Sequence, residues 1–358
     1  MRNYKVTKKN LVFVAVDAGS GNVALTFERD GKMFTQVTPA LVRQGNQQTI
    51  ASEATSSWIT EGRNYAVVKQ GADLVDTCDP DYQISAAHRV LVIDALVRAG
   101  LSDCDVVLAE TLPVNQFYAD KGVIDHARID AKVKSLMTPV SNYNDAIAAP
   151  RIVHVEVYPE AIPAVVSAQA DDPSLNEAQT LLVADLGRFT CDLAVVDSEL
   201  QVVSRRTSEN GVHVMINRLH ELLQDFEATS EKHIDAKNLS IESIDPIIRQ
   251  GFIGSRLEAA RHKRIDVTPL IERAAAELSE IIRSDIRKLH RNLRDVDAIL
   301  LVGGGANYIA GKIHGLGDHT ADWHDLVITP DYPEMSIVRG VYMALMASRD
   351  DIIAELNG

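Results

Sequence analysis

The chain has 358 residues, 46% of them hydrophobic and 24% charged, and a formal net charge of −14. The length leads us to expect two domains, each with its own core. The acidic balance speaks against direct, non-specific nucleic-acid binding, which needs clustered Lys and Arg.

No run approaches the roughly 18 apolar residues of a membrane span. Three cysteines, Cys78, Cys104 and Cys191, make no CxxC pair and no disulfide framework, so a cytoplasmic location is expected. The first ten residues are basic but polar, and the apolar run after them ends too soon, at Asp17, for a signal peptide. Leu11 to Val16 reads as a strand, closed by Asp17-Ala18-Gly19-Ser20-Gly21-Asn22. A second strand runs from Val23 to Phe27, and a third strand-like segment lies around Lys32 to Val37. Thr38 to about Pro80 is polar, with Trp58 and Tyr65 as its larger anchors, and reads as a small inserted subdomain.

Ser85 to Gly100 has helical spacing, with the glycine suited to a C-cap. Asp105 to Leu112 is a buried strand, Arg128 to Lys134 a short helix or exposed connector, and Arg151 to Val157 another strand. A helix over Ala161 to Ala170 follows Tyr158-Pro159-Glu160. The second half then repeats the plan. Leu181 to Ala184 is a strand closed by Asp185-Leu186-Gly187-Arg188-Phe189-Thr190, and Cys191 to Val196 and Gln201 to Arg205 complete a meander. Gly211 opens an amphipathic helix. The polar region from Ala228 to Asp266 is broken by Pro246, and Thr268 caps a long helix reaching about Leu293. A strand over Asp297 to Val302 runs into Gly303-Gly304-Gly305-Ala306, and Ser336 to Ser348 is helical. The basic clusters Arg2 to Lys9 and Arg261 to Arg264 read as solvated surface.

The two Asp-x-Gly turns stand 185 − 17 = 168 residues apart, close to half the chain. One such turn is ordinary turn chemistry. Two at matched positions suit a metal–nucleotide phosphate tail gripped from both sides. Glycine lets backbone N–H groups approach phosphate oxygens, and the aspartates suit a hydrated Mg²⁺.

Two Asp-x-Gly hairpins, a Gly-Gly-Gly turn after a strand and connecting helices resemble the actin superfamily of ATPases. Within it, five segments resemble the ParM/StbA plasmid-segregation proteins. They are Val14 to Asn22, Thr111-Leu112-Pro113, Pro159-Glu160-Ala161-Ile162-Pro163-Ala164, Ala184 to Gly187, and Leu301 to Ala306.

The resemblance implies an α/β, actin-like (ribonuclease-H-like) fold: two similar domains around a nucleotide cleft, each with a small inserted subdomain. Domain I would comprise 1–155 plus 335–358, with 38–82 inserted, and domain II 156–334, with 207–292 inserted. Gly19, Ser20, Gly21 and Asn22 would bind the phosphates from one side, Gly187 and Thr190 from the other. Gly303, Gly304, Gly305 and Ala306 would pass under the adenosine. Asp17 and Asp185 would hold Mg²⁺ through water. Glu160 would act as the catalytic base, with Asp185 as the second catalytic residue; from its local sequence alone Glu160 reads first as a helix-capping residue. The nucleotide would be ATP, with GTP the alternative.

The resemblance further implies nucleotide-dependent filaments of this chain, coupled to plasmid centromere DNA by a small ParR-like adaptor, with no membrane partner. A sugar-type kinase and a non-hydrolysing actin-like scaffold are the alternatives. Two departures stand out: Ala24 replaces the lysine usual two residues beyond the Asn22 position, and Arg188 replaces the second glycine of the second loop. Arg188 either compensates for the missing lysine at the phosphates or points out of the cleft.

Overall fold

In the computed structural model, residues 11–45, 56–69, 73–119, 122–143, 145, 147–313 and 326–357 are described. The first half contributes strands β1 (Leu11–Ala18), β2 (Asn22–Arg29), β3 (Lys32–Pro39), β4 (Val42–Gln44), β5 (Ser57–Thr60), β6 (Arg63–Val67), β7 (Asp105–Leu112), β8 (Ser141–Asn142) and β9 (Arg151–Pro159). The second contributes β10 (Thr180–Leu186), β11 (Cys191–Asp197), β12 (Val202–Ser208), β13 (Phe252–Ile253), β14 (Ile265–Asp266), β15 (Ala298–Val302) and β16 (Val327–Ile328).

Two five-stranded sheets dominate, in the orders β3-β2-β1-β7-β9 and β12-β11-β10-β15-β16. In each, three consecutive strands form an antiparallel meander and two later strands add in parallel. The duplication seen in the turns therefore extends to whole sheets. Matched positions even keep matched register: Asp17 pairs with Ala24, and Asp185 with Asp192.

The inner strands β10, β11 and β15 of the second sheet are buried on both faces, so they are almost continuously apolar. Alternate residues divide between two cores. Leu181, Val183, Ala194, Val196, Leu300 and Val302 join the core of the first half. Leu182, Ala184, Leu186, Leu193, Val195 and Leu301 pack with helices Val212–Thr229 and Thr268–Leu289. Helices Ala161–Asp171 and Ser336–Ala347 lie between the two sheets. They cross so closely that a Cβ on Gly340 would sit 1.8 Å from the Pro163 carbonyl oxygen.

The predicted helix after Ser85 spans Ala86–Arg98, capped by the Ser85 side chain, with Gly100 in the left-handed region at φ +79. Of the two readings of the segment around Arg128, the helix holds, over His126–Leu136, with Lys132 and Leu136 buried. Two other expectations change. Pro246 lies inside helix Ile241–Gln250 rather than breaking the chain. Burial of Ile244, Ile247 and Ile248 offsets its cost of about 3 kcal/mol. Thr268 is the first residue of its helix, which ends at Leu289. The N-cap is Val267, which offers no side-chain hydrogen bond; just before it the Asp266 carboxylate accepts from the Thr268 N–H at 2.9 Å, while the Thr268 hydroxyl donates to the Gly251 carbonyl.

The polar region after β3 forms a small sheet, β4-β6-β5-β8, completed by a strand from beyond β7. Its Trp58 is fully buried, and the indole N–H donates to Asp94 at 2.9 Å. Residues 46–55 and 70–72 of this region, and the basic segment Arg2 to Lys9, lie outside the described residues. In the other basic cluster, Arg261 and Arg264 pair with Glu258 and Arg264 stacks on Phe252, which fits the surface reading. Cys191 is buried, and none of the three cysteines is disulfide-bonded. Among the described residues no helix is long and apolar enough to cross a membrane.

Candidate functional site

The carboxyl ends of β1, β10 and β15 converge on a cleft of about 600 Å³ between the two sheets, the usual ligand position in open α/β sheets. Its size suits a small organic ligand. The structure brings nearly every expected residue to this one cleft: Asp17, Gly19, Ser20, Gly21 and Asn22 from the first turn, Glu160, then Asp185, Gly187, Arg188 and Thr190 from the second, and Gly303 to Gly305. Ala306 does not line it. It is fully buried and opens the short helix Ala306–Ile309 beneath the glycine turn.

Close backbone approach explains the glycines. Gly303 has φ +83, and a Cβ there would fall 2.1 Å from the Asp185 carboxylate. A Cβ on Gly305 would meet the side chain and carbonyl of Leu186. On the opposite wall, Ser20 is fixed through its carbonyl, which accepts from the Thr77 hydroxyl at 2.8 Å.

Four carboxylates face this space. Burial, the largest influence, pushes Asp17 up to about 6; the Thr111 hydroxyl, donating at 2.9 Å, opposes this and the Glu110 charge adds to it. Asp185 is raised well above the usual aspartate range by burial and then by Asp17 and Asp192. Glu160 is raised likewise by burial, then Asp192, Asp17 and Asp185. Burial also raises Asp192, against hydrogen bonds from Thr207 and Thr190.

Glu160 sits at the N-cap of helix Ala161–Asp171, yet its side chain accepts no cap hydrogen bond. That removes the capping role. Among the described residues, neither its carboxylate nor that of Asp185 has any hydrogen bond or ion pair. Both line the cleft without a protein partner, which leaves their oxygens to solvent or to a ligand. Both face the cavity from opposite sides.

A divalent cation fits this donor set, because it would neutralise carboxylates that burial otherwise pushes toward protonation. Among the described residues no three His, Cys, Asp or Glu groups converge as a direct chelate. Mg²⁺ commonly keeps several of its waters, so carboxylates need not ligate it directly to hold it.

Asp192 was missed by sequence reasoning, though a signal existed. It is a lone charge inside the apolar strand β11, seven residues after Asp185. Ala24 stands at the matching distance from Asp17 and also faces the cleft. Arg188 turns toward the cleft. Its Cβ would lie 2.9 Å from a Cβ on Gly21, and its guanidinium is 5.5 Å from the Phe189 ring centre. It makes no ion pair among the described residues.

A sequence profile described as "Plasmid segregation protein ParM, N-terminal" matches residues 12–171, and one described as "Plasmid segregation protein ParM, C-terminal" matches residues 175–344. A search of curated proteins returns no match. Solved structures share the fold at low identity. The archaeal actin homologue Ta0583 in complex with ADP is 17% identical with a TM-score of 0.70, over 94% of this chain and 100% of that one. The actin-like protein Alp7A is 14% identical with a TM-score of 0.73, over 96% and 98%. A subunit of a 15-stranded ParM filament from Clostridium botulinum is 18% identical with a TM-score of 0.66, over 94% and 99%. With two matched profiles spanning both halves and an actin-like fold around the cleft, the chain belongs to the ParM family of actin-like plasmid-segregation proteins.

Proposed function

We propose that this chain hydrolyses ATP in the cleft, and that the nucleotide state controls filaments that move plasmid DNA through a small DNA-binding adaptor. The observation that carries the reading is the pair of unpartnered carboxylates, Glu160 and Asp185, facing each other across a nucleotide-sized cavity. The ADP-bound archaeal homologue and the clostridial ParM filament support it by analogy of fold. The net charge of −14 suits an adaptor standing between the filament and DNA.

In this reading Gly19 to Asn22 and Gly187 to Thr190 hold the phosphates from two walls, while Gly303 to Gly305 pass under the nucleoside. Asp17 and Asp185 hold the water shell of Mg²⁺, which when bound supplies positive charge to the phosphates. Glu160 aligns a water with the γ-phosphorus and accepts its proton. The water oxygen bonds to phosphorus as the bond to the β–γ bridging oxygen breaks, so positioning carries most of the rate. Nucleotide state then biases closure of the cleft and the contacts between subunits. Phosphate release measured alongside light scattering, with ATP, GTP and no nucleotide, tests the reading. Absence of both turnover and assembly would overturn it.

Arg188 takes the place of the lysine absent at Ala24. An arginine–phosphate bond in a partly dry cleft is worth roughly 1.5–3 kcal/mol. Arg188→Gly should therefore weaken ATP binding by about 10- to 150-fold, and Ala24→Lys should restore part of it. Wild-type affinity in Arg188→Gly, measured by nucleotide titration, would remove Arg188 from the site.

The raised carboxylates also set a pH dependence. Asp17 has a folded value of about 6, above its unfolded value, so its contribution to the stability of the free protein is present at low pH. That contribution is lost as pH rises through about 6. Binding of Mg²⁺ with nucleotide needs the ionised forms and must displace those protons. The rise in melting temperature on adding Mg²⁺–ATP should accordingly grow between about pH 5 and pH 7.5. A constant increment would contradict the assignment of these groups to the metal.

A further inference from the structure

Beneath the first phosphate turn lies a second charged group, which the chemistry above does not use. Lys132, on helix His126–Leu136, is fully buried, as are Glu110 on β7 and His88 on helix Ala86–Arg98. The Lys132 ammonium lies 2.5 Å from Glu110 Oε2 and donates to Gln83 Oε1 at 2.5 Å. His88 Nε2 lies 3.1 Å from both Lys132 Nζ and Glu110 Oε1. Four separate elements thus meet at one ammonium group.

The two oxygens it anchors belong to side chains that grip a single residue. Glu110 Oε1 accepts from the Ala18 N–H at 3.3 Å, and the Gln83 amide donates to the Ala18 carbonyl at 3.4 Å. Ala18 directly follows Asp17 and begins the phosphate turn. The neighbour of Glu110 on β7, Thr111, donates to the Asp17 carboxylate itself. We infer that Lys132 is a positioning residue: through Glu110 and Gln83 it holds both polar groups of the Ala18 backbone, and so fixes where Asp17 and the turn meet the phosphates. This rests on the hydrolytic reading of the cleft.

A buried ammonium is a costly device for mere core filling. Unbranched apolar side chains fill such space without desolvating a charge, and replacing a buried ion pair by apolar groups is often neutral or stabilising. What an apolar residue cannot do is hold two polar side chains at once. The charges also balance locally. Burial works to raise the Glu110 carboxyl, but Lys132 and His88 beside it hold it below the ordinary glutamate range. Burial and Lys132 together keep His88 below its ordinary value, against the pull of Glu110. Lys132 also acts on the Asp17 and Glu160 carboxylates through its charge, so the group reaches the cleft both through the turn and through the field of the ammonium.

The test uses the full-length protein. Lys132→Met alone strands the Glu110 charge, so it is combined with Glu110→Gln, which keeps an acceptor for the Ala18 N–H. The double variant should melt near the wild type and bind nucleotide within about threefold, yet lose at least about tenfold in kcat, the pattern of a misplaced rather than missing group. Independently of activity, hydrogen exchange at the Ala18 amide should quicken about tenfold or more, while β15 in the other half keeps its rate. Gln83→Leu, which removes no charge, should move both readouts in the same direction by less, and it carries the test if the double variant does not fold. Wild-type kcat or wild-type exchange in these variants would overturn the inference. A wild-type protein with no turnover of any nucleoside triphosphate would instead overturn the hydrolytic reading, and the exchange data would still report on the clamp.

Discussion

Asp185→Ala should lose hydrolysis by about 10²- to 10³-fold, the scale of removing one preorganised electrostatic group from a site. The same change should raise the melting temperature of the nucleotide-free protein. Both follow from one geometry. Asp185 ends β10 at the cleft, with no hydrogen bond or ion pair among the described residues, and its charge works against Asp17, Asp192 and Glu160. In the free protein it costs stability; in the proposed chemistry it would be one of two acceptors for the waters of Mg²⁺. A residue that merely supported the Gly303 turn would behave oppositely, lowering the melting temperature when lost. Steady-state phosphate release and a thermal melt of the same preparation separate the two, and normal turnover in Asp185→Ala would end the assignment.

Much of this was legible in the sequence because it lives in local patterns. The strand from Asp105 to Leu112 matches its predicted bounds, and both meanders fall within a few residues of theirs, since apolar runs ended by Asp-x-Gly turns need no long-range information. The cleft was legible because the device occurs twice. The rest was hidden wherever a side chain's fate depends on a distant partner. Lys132 stands in Ala131-Lys132-Val133-Lys134, and nothing nearby says that one lysine is fully buried on Glu110 while Lys134 is exposed. Pro246 looked like a break because its cost is local, whereas the burial of Ile244, Ile247 and Ile248 that offsets it is tertiary. Val267 was hidden as the N-cap because its side chain has no capping chemistry, whereas Thr268 beside it does. Only the structure shows the threonine hydroxyl committed to Gly251.

Glu160→Ala should slow ATP hydrolysis by about 10²-fold or more, the loss expected when a positioned base is removed, while nucleotide still binds and filaments still form. Those filaments should outlast wild-type ones, because the step coupled to disassembly is the one removed. Glu160 begins the helix Ala161–Asp171 and is 7% exposed, and it makes no cap hydrogen bond, so its loss takes nothing from the helix. Its neighbours Asp192, Asp17 and Asp185 are all acidic, so losing its charge relieves repulsion and should raise the melting temperature of the free protein. Glu160→Gln should fall between wild type and Ala, since an amide can still orient a water but cannot take its proton in the same way. Light scattering after a limiting pulse of ATP, together with phosphate release, reads all three properties in one experiment. Unchanged release from Glu160→Ala, or failure of that variant to bind nucleotide, would make Glu160 a structural residue and leave the attacking water without a base.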